Sequence, residues 1–300
     1  GAEREGTVYL DDFEGSNNGV PIETFPGNWM LASTPVGAMF QGRPFLSEGE
    51  LSNDTRIHVN RALLSWYRIL DPNVRDQSDR SNNFTRPFRL NDLFPNRQLD
   101  QAQQFTPFFT FDVSFFPNER GPYNFDLPAG TAYSAGLEGD GSLRDPESRW
   151  GGIMTNNNQP DFERANYETV EFWMMSPYSD DEATPDDGYL VLHLGSVSED
   201  LMKDNRRFAE HALPIDPTQT DNIIETNLSR LSTIDPAIFA FENTQESRDN
   251  QDLGFDGLNN DGEREKFRWY LDSLQGENFK ACKTRLRTLT KPGDQNLIPR

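Results

Sequence analysis

The sequence predicts a mainly β protein, an antiparallel β-sandwich with long loop insertions and a few short helices, laid out over 1–300 as one decorated domain. Three observations carry that reading. Short stretches alternate β-forming and polar residues, and long turn-rich segments join them. Hydrophobic residues make up only 34% of the 300, against about 45–50% in an ordinary domain. The 22 Phe, 5 Trp and 8 Tyr partly offset that deficit, because each ring buries a large area.

The elements follow in order. Thr7 to Phe13 alternates and stops at the turn cluster Glu14-Gly15-Ser16-Asn17-Asn18-Gly19. Trp29 to Ala32 is a second short strand. Phe108 to Phe116 alternates aromatic and polar residues up to Pro117-Asn118. Tyr167 to Met175 and Tyr189 to Leu194 are further strands, separated by the acidic turn Asp180 to Gly188. Ser196-Val197-Ser198-Glu199 has capping-box spacing and opens a helix with Leu201, Phe208 and Leu213 inward. Glu263 to Leu274 places Phe267, Tyr270, Leu271 and Leu274 on one helical face. Asp71 to Asn83 and Asn91 to Gln104 are loops of the length that carries interfaces.

Charge narrows the functional classes. Forty-nine acidic residues against 28 basic ones leave −21, which excludes a basic stripe for nucleic acid or an anionic membrane surface. No apolar run nears the ~20 residues of a membrane helix. Alternating ~10-residue barrel segments are missing as well. The chain reads as soluble, with no direct membrane span. It opens Gly1-Ala2-Glu3, as expected of a processed chain or an excised fragment. Its single cysteine, Cys282, excludes an internal disulfide framework.

Catalytic motifs are wanting. There is no nucleophile elbow, P-loop or dinucleotide fingerprint, and His58, His193 and His211 lie far apart. His193, on a strand face beside Tyr189 and Val191, reads as a packed or half-exposed residue, and the protein is expected not to be an enzyme. Two acidic groupings suit Ca²⁺, which takes hard oxygen ligands. Asp11-Asp12-Phe13-Glu14 closes the first strand, where a solvated strand end is the simpler reading. In Asp252 to Glu263, the residues Asp252, Asp256, Asn260 and Glu263 fall at positions 1, 5, 9 and 12 of a calcium loop. Gly257 takes the turn position, but Gly254 at position 3 offers no side-chain oxygen. The alternative is a plain Gly- and Asn-rich turn before the last helix. The aromatic faces available for a sugar platform are Trp29, Trp66, Trp150, Trp173 and Trp269; most are expected in the core, Trp173 in its apolar strand among them, whereas Trp66 suits either role.

Several phrases in order resemble one family. They are Thr7–Gly15, Arg61–Tyr67, Phe116–Phe125 and Arg149–Met154; then Asp161-Phe162-Glu163 with Glu171–Met174, Leu194–Asp200, and Asp252–Asn260. Together, from about Gly6 to Phe267, they are similar to the SprA/Sov family, the outer-membrane translocon of the type IX secretion system of Bacteroidetes. The resemblance implies a non-enzymatic segment that supports protein export and gliding motility, at the outer membrane and facing the cell surface or the periplasm. Its implied partners are the rest of the translocon barrel, accessory subunits and exported cargo. Family sequence continues past Arg300, so the domain is expected to be truncated there. A jelly-roll form of the sandwich is implied, with Phe13, Trp150, Phe172 and Trp173 in the core and Arg120 and Arg149 pairing buried carboxylates. The Asp11-Asp12-Phe13-Glu14 phrase and the Glu171-Phe172-Trp173 strand also resemble jelly-roll carbohydrate-binding modules, which is the alternative function.

Overall fold

The computed structural model describes 20–69 except 38, 41 and 42; 88–157 except 101–103, 105 and 106; 169–175; 188–205 except 196; 223–227; 230–232; 258; and 260–274. The strand expected at Thr7 to Phe13 and the loop Asp71 to Asn83 lie outside these residues.

In chain order the strands are β1 (Met30–Leu31), β2 (Met39–Phe40), β3 (Arg43–Pro44), β4 (Ala62–Tyr67), β5 (Phe88–Arg89), β6 (Pro107–Phe108), β7 (Asp112–Arg120), β8 (Ile153–Met154), β9 (Ile223–Glu225) and β10 (Arg230–Ser232). Helices are few and short: α1 (Leu90–Leu93), α2 (Asn260–Lys266) and α3 (Arg268–Ser273), with single 3-10 turns between strands. Every strand pair is antiparallel, as expected: β1 with β8, β2 with β3, β4 with β7, β5 with β6, and β9 with β10. Among the described residues these pairs remain five separate two-stranded sheets.

The β4–β7 ladder is the longest. It sets Tyr67 opposite Asp112 and Leu63 opposite Phe116, and then jumps so that Ala62 faces Arg120. The jump is a bulge that accommodates Pro117, whose missing N–H cannot join a regular ladder. The alternating stretch read from Phe108 to Phe116 is therefore two elements: β6 ends at Phe108, and β7 runs through the proline to Arg120. Next to the bulge the backbones close tightly. A Cβ on Gly121 would lie 2.3 Å from the Ala62 carbonyl oxygen, so only glycine fits there.

The apolar centre lies at the foot of β4. Ala62, Leu137, Leu143, Tyr270 and Leu274 form one buried cluster, with Phe125 and Leu127 against it. Phe125 stacks on Phe267 at 4.7 Å and meets Tyr270 edge-on at 5.3 Å. The predicted inner helical face is thus the face that packs, with Phe267, Tyr270 and Leu274 buried. The single helix expected there breaks at Phe267, whose φ −97° and ψ 18° leave the helical region. Past the break, Phe267, Tyr270 and Leu274 pack on Phe125 and the loop between β7 and β8.

Three further expectations are corrected. The described parts of the two middle strands, 169–175 and 189–194, have no regular secondary structure and join none of the sheets among the described residues. Alternating β-formers make a strand only when a neighbour takes up their backbone groups. Phe172 (53% exposed) and Trp173 (69% exposed) accordingly leave the core positions assigned to them. Trp173 touches Phe94 edge-on at 5.6 Å. The helix expected after Ser196 is a chain of bends over 201–205 instead. Lys203 (φ 48°) and Asn205 (φ 66°) are left-handed, which no right-handed helix tolerates. Leu201 still packs inward, 7% exposed, while Phe208 and Leu213 lie outside the described residues.

Candidate functional site

The described residues converge on a buried polar nest where three of the quoted phrases meet. Arg149, expected to pair a buried carboxylate, does so: Nη1 lies 3.2 Å from Asp126 Oδ2, and both side chains are fully buried. The guanidinium also donates to Val59 O (2.9 Å), Asn60 Oδ1 (3.1 Å), Gly136 O (3.2 Å) and, from Nε, Arg144 O (2.8 Å). Asp126 in turn accepts from the Ser134 hydroxyl (2.5 Å) and the Leu127 N–H (2.9 Å). Asn124 Nδ2 ties the same loop to Val59 O and Arg61 O. Such a saturated pair fixes how the strand-flanking loops meet, because removing either member strands the other charge.

Beside it lies a less satisfied group that the sequence reading missed. Arg61 is 1% exposed, lies over the Trp150 ring at 4.5 Å, and donates from Nη2 to Ala32 O at 2.7 Å. Its Nε and Nη1 find no hydrogen-bond partner among the described residues. Burial pulls its pKa down to about 9. Arg61 Nη2 is also 3.1 Å from His58 Nδ1, and since arginine only donates, that nitrogen accepts and the ring proton sits on Nε2. Burial, then the Arg61 charge, holds the His58 imidazole far below its ordinary range and hence neutral. The Thr34 hydroxyl sits 2.9 Å from both Ile57 O and His58 Nδ1. One signal was legible: an arginine directly preceding an apolar strand, three residues after a histidine.

The other expected residues scatter. Trp150 is buried, as anticipated, and Trp66 (7% exposed) belongs to the core. Arg120 takes no carboxylate among the described residues; its guanidinium lies over the Tyr270 ring at 5.3 Å. His193 is exposed on an unpaired segment rather than set on a strand face. Of the calcium-loop residues, Asp252 and Asp256 lie outside the described residues. Asn260 begins α2 and Glu263 falls within it, so the helix expected to leave the loop is present. Among the described residues no three His, Cys, Asp or Glu side chains converge on one point.

The surface offers an extended apolar feature. From Val170 to Met175 and from Tyr189 to Leu194 every described side chain is exposed, including Trp173, Met174 (76%), Leu190 (66%) and Leu194 (63%). Chemically, then, the described residues supply a buried, hydrogen-bonded polar nest and two runs of exposed apolar side chains. Comparison with known protein families and with characterised proteins finds no match.

Proposed function

We propose that this chain is a soluble, jelly-roll-like segment of the outer-membrane translocon of the type IX secretion system, acting by contact with the barrel or its accessory subunits rather than by catalysis. The observation that carries the reading is the run of seven phrases in family order from about Gly6 to Phe267. Three of them, Arg61–Tyr67, Phe116–Phe125 and Arg149–Met154, come together in the polar nest and the β4–β7 ladder, which supports an architectural part for them. The exposed apolar segments supply a face for a partner, and strand addition to such a segment is an ordinary mode of recognition.

Deleting this segment from the parent translocon, with the barrel retained, is the test. Export of type IX cargo is expected to stop while other outer-membrane proteins keep their levels. Normal cargo export in that strain overturns the proposal. Protease accessibility on intact cells then decides between the cell surface and the periplasm.

A further inference from the structure

A cleft of about 380 Å³ opens beside the β1–β8 pair, lined by Glu23, Asn28, Trp29, Met30, Thr155 and Asn156 among others. That volume falls at the small end of ligand sites. Its walls are fixed in advance. The Trp29 indole N–H donates to Glu23 O at 3.2 Å, and the ring is backed by Phe111 with centroids 5.4 Å apart. The Glu23 carboxylate is locked by the Phe25 N–H on Oε1 (2.6 Å) and by Asn28 Nδ2 on Oε2 (2.7 Å). Across the cleft, the Thr155 hydroxyl donates to Asn28 O at 2.9 Å and reinforces the register that pairs Met30 with Met154.

The hydrogen bond from Phe25, then that from Asn28, lowers the Glu23 pKa below the usual carboxylate range, so it stays an acceptor at neutral pH. The Thr24 backbone adds a weaker hydrogen bond, and the carboxylate's remaining lone pair is left for a ligand. Arg68 anchors to Thr24 O at 2.8 Å outside the cleft and adds only a small attraction to Glu23, which remains the cleft's one charged lining residue. A pyranose has the matching chemistry: C–H bonds for an aromatic surface, and hydroxyls that donate to a carboxylate and exchange hydrogen bonds with carboxamides. An anion would meet Glu23, and an ammonium ion would find one lining aromatic ring rather than a cage.

We propose that the cleft at Trp29 is a binding site for a single neutral hexopyranose, held on Trp29 and hydrogen-bonded by Glu23, Asn28 and Asn156. The site is independent of the export reading, because a sugar titration and an export assay can fail separately. Titration of the full chain with glucose, galactose, mannose and N-acetylglucosamine, followed by saturation-transfer NMR and tryptophan fluorescence, is expected to saturate for at least one of them with Kd on the order of 1 mM. Trp29→Ala and Glu23→Gln should each weaken that binding about tenfold or more. Asn156→Ala, on an exposed residue with little to unfold, should weaken it severalfold with an unchanged Tm. Overturning results are no saturation up to about 50 mM of any of the four sugars, or equal binding by all three variants. Saturation by choline chloride without any by the sugars also overturns it, in favour of a cation site.

Discussion

At the scale of single residues, the contrast between Arg149 and Arg61 decides what the polar nest contributes. Arg149 has a carboxylate and four further acceptors, whereas Arg61 has an aromatic face, a carbonyl and a histidine nitrogen. Arg149→Ala leaves Asp126 buried and uncompensated and is expected to cost about 3–5 kcal/mol, read as a lower urea midpoint at constant m. Joint replacement of Arg149 and Asp126 by apolar residues should cost less than the single change. His58 is expected to make the fold sensitive to mild acid, because its burial disfavours the charged imidazole. Its folded-state pKa lies below the ordinary histidine value, so above about pH 6.5 its contribution to stability is fully present. As pH falls through that value the unfolded chain takes up a proton that the folded chain refuses. Stability then drops by up to about 1.4 kcal/mol per pH unit. Glu48, raised by burial, acts in the opposite sense at lower pH. Urea midpoints from pH 7.5 to 5.5 should therefore fall in the parent and fall less in His58→Gln, which retains an acceptor for Arg61.

Elements differ in how much they owe to their surroundings. Helix α3 is held by its packed face, so Leu274→Ala, at a site 2% exposed, is expected to cost about 2–5 kcal/mol. Trp173→Ser should move stability by less than about 0.5 kcal/mol, because that ring is mostly in solvent. If the 170–175 segment is a partner's landing strip, the same substitution should weaken capture of the translocon barrel, measured by co-purification. Helix α2 contains Glu263, the last position of the calcium-loop reading, and calcium belongs to this scale too. Millimolar Ca²⁺ is expected to raise the Tm, and Asp256→Ala to remove the rise. Identical calorimetric transitions in calcium and in chelator would leave the loop as a turn.

For the whole molecule the governing quantity is −21 charges on 300 residues. Self-repulsion of that size opposes compaction and is relieved by screening. Moving from about 0.01 M to about 0.15 M salt shortens the Debye length from ~30 to ~8 Å. The Tm of the full chain should rise across that range, and a flat or falling Tm would show that local pairs dominate instead.

How much of this was legible beforehand depends on the range of the interaction. Local pattern was enough for the antiparallel, mainly β character, for the scarcity of helix, and for the buried face of Phe267, Tyr270 and Leu274, because side-chain period is a property of a few consecutive residues. The phrases also flagged Arg149 as a buried partner and Trp150 as core. Alternation at Tyr167 to Met175 and Tyr189 to Leu194 was equally clear, yet it states only what a segment offers, and whether a neighbour accepts depends on chain far away in sequence. The sequence by itself therefore determined the charge, the class and the packing face of the last helices. Only the tertiary structure decided that Arg61 and His58 share one buried nest, that Arg120 turns to Tyr270, and that Trp173 faces solvent. Each of those outcomes follows from desolvation and contact between residues the chain brings together only when folded.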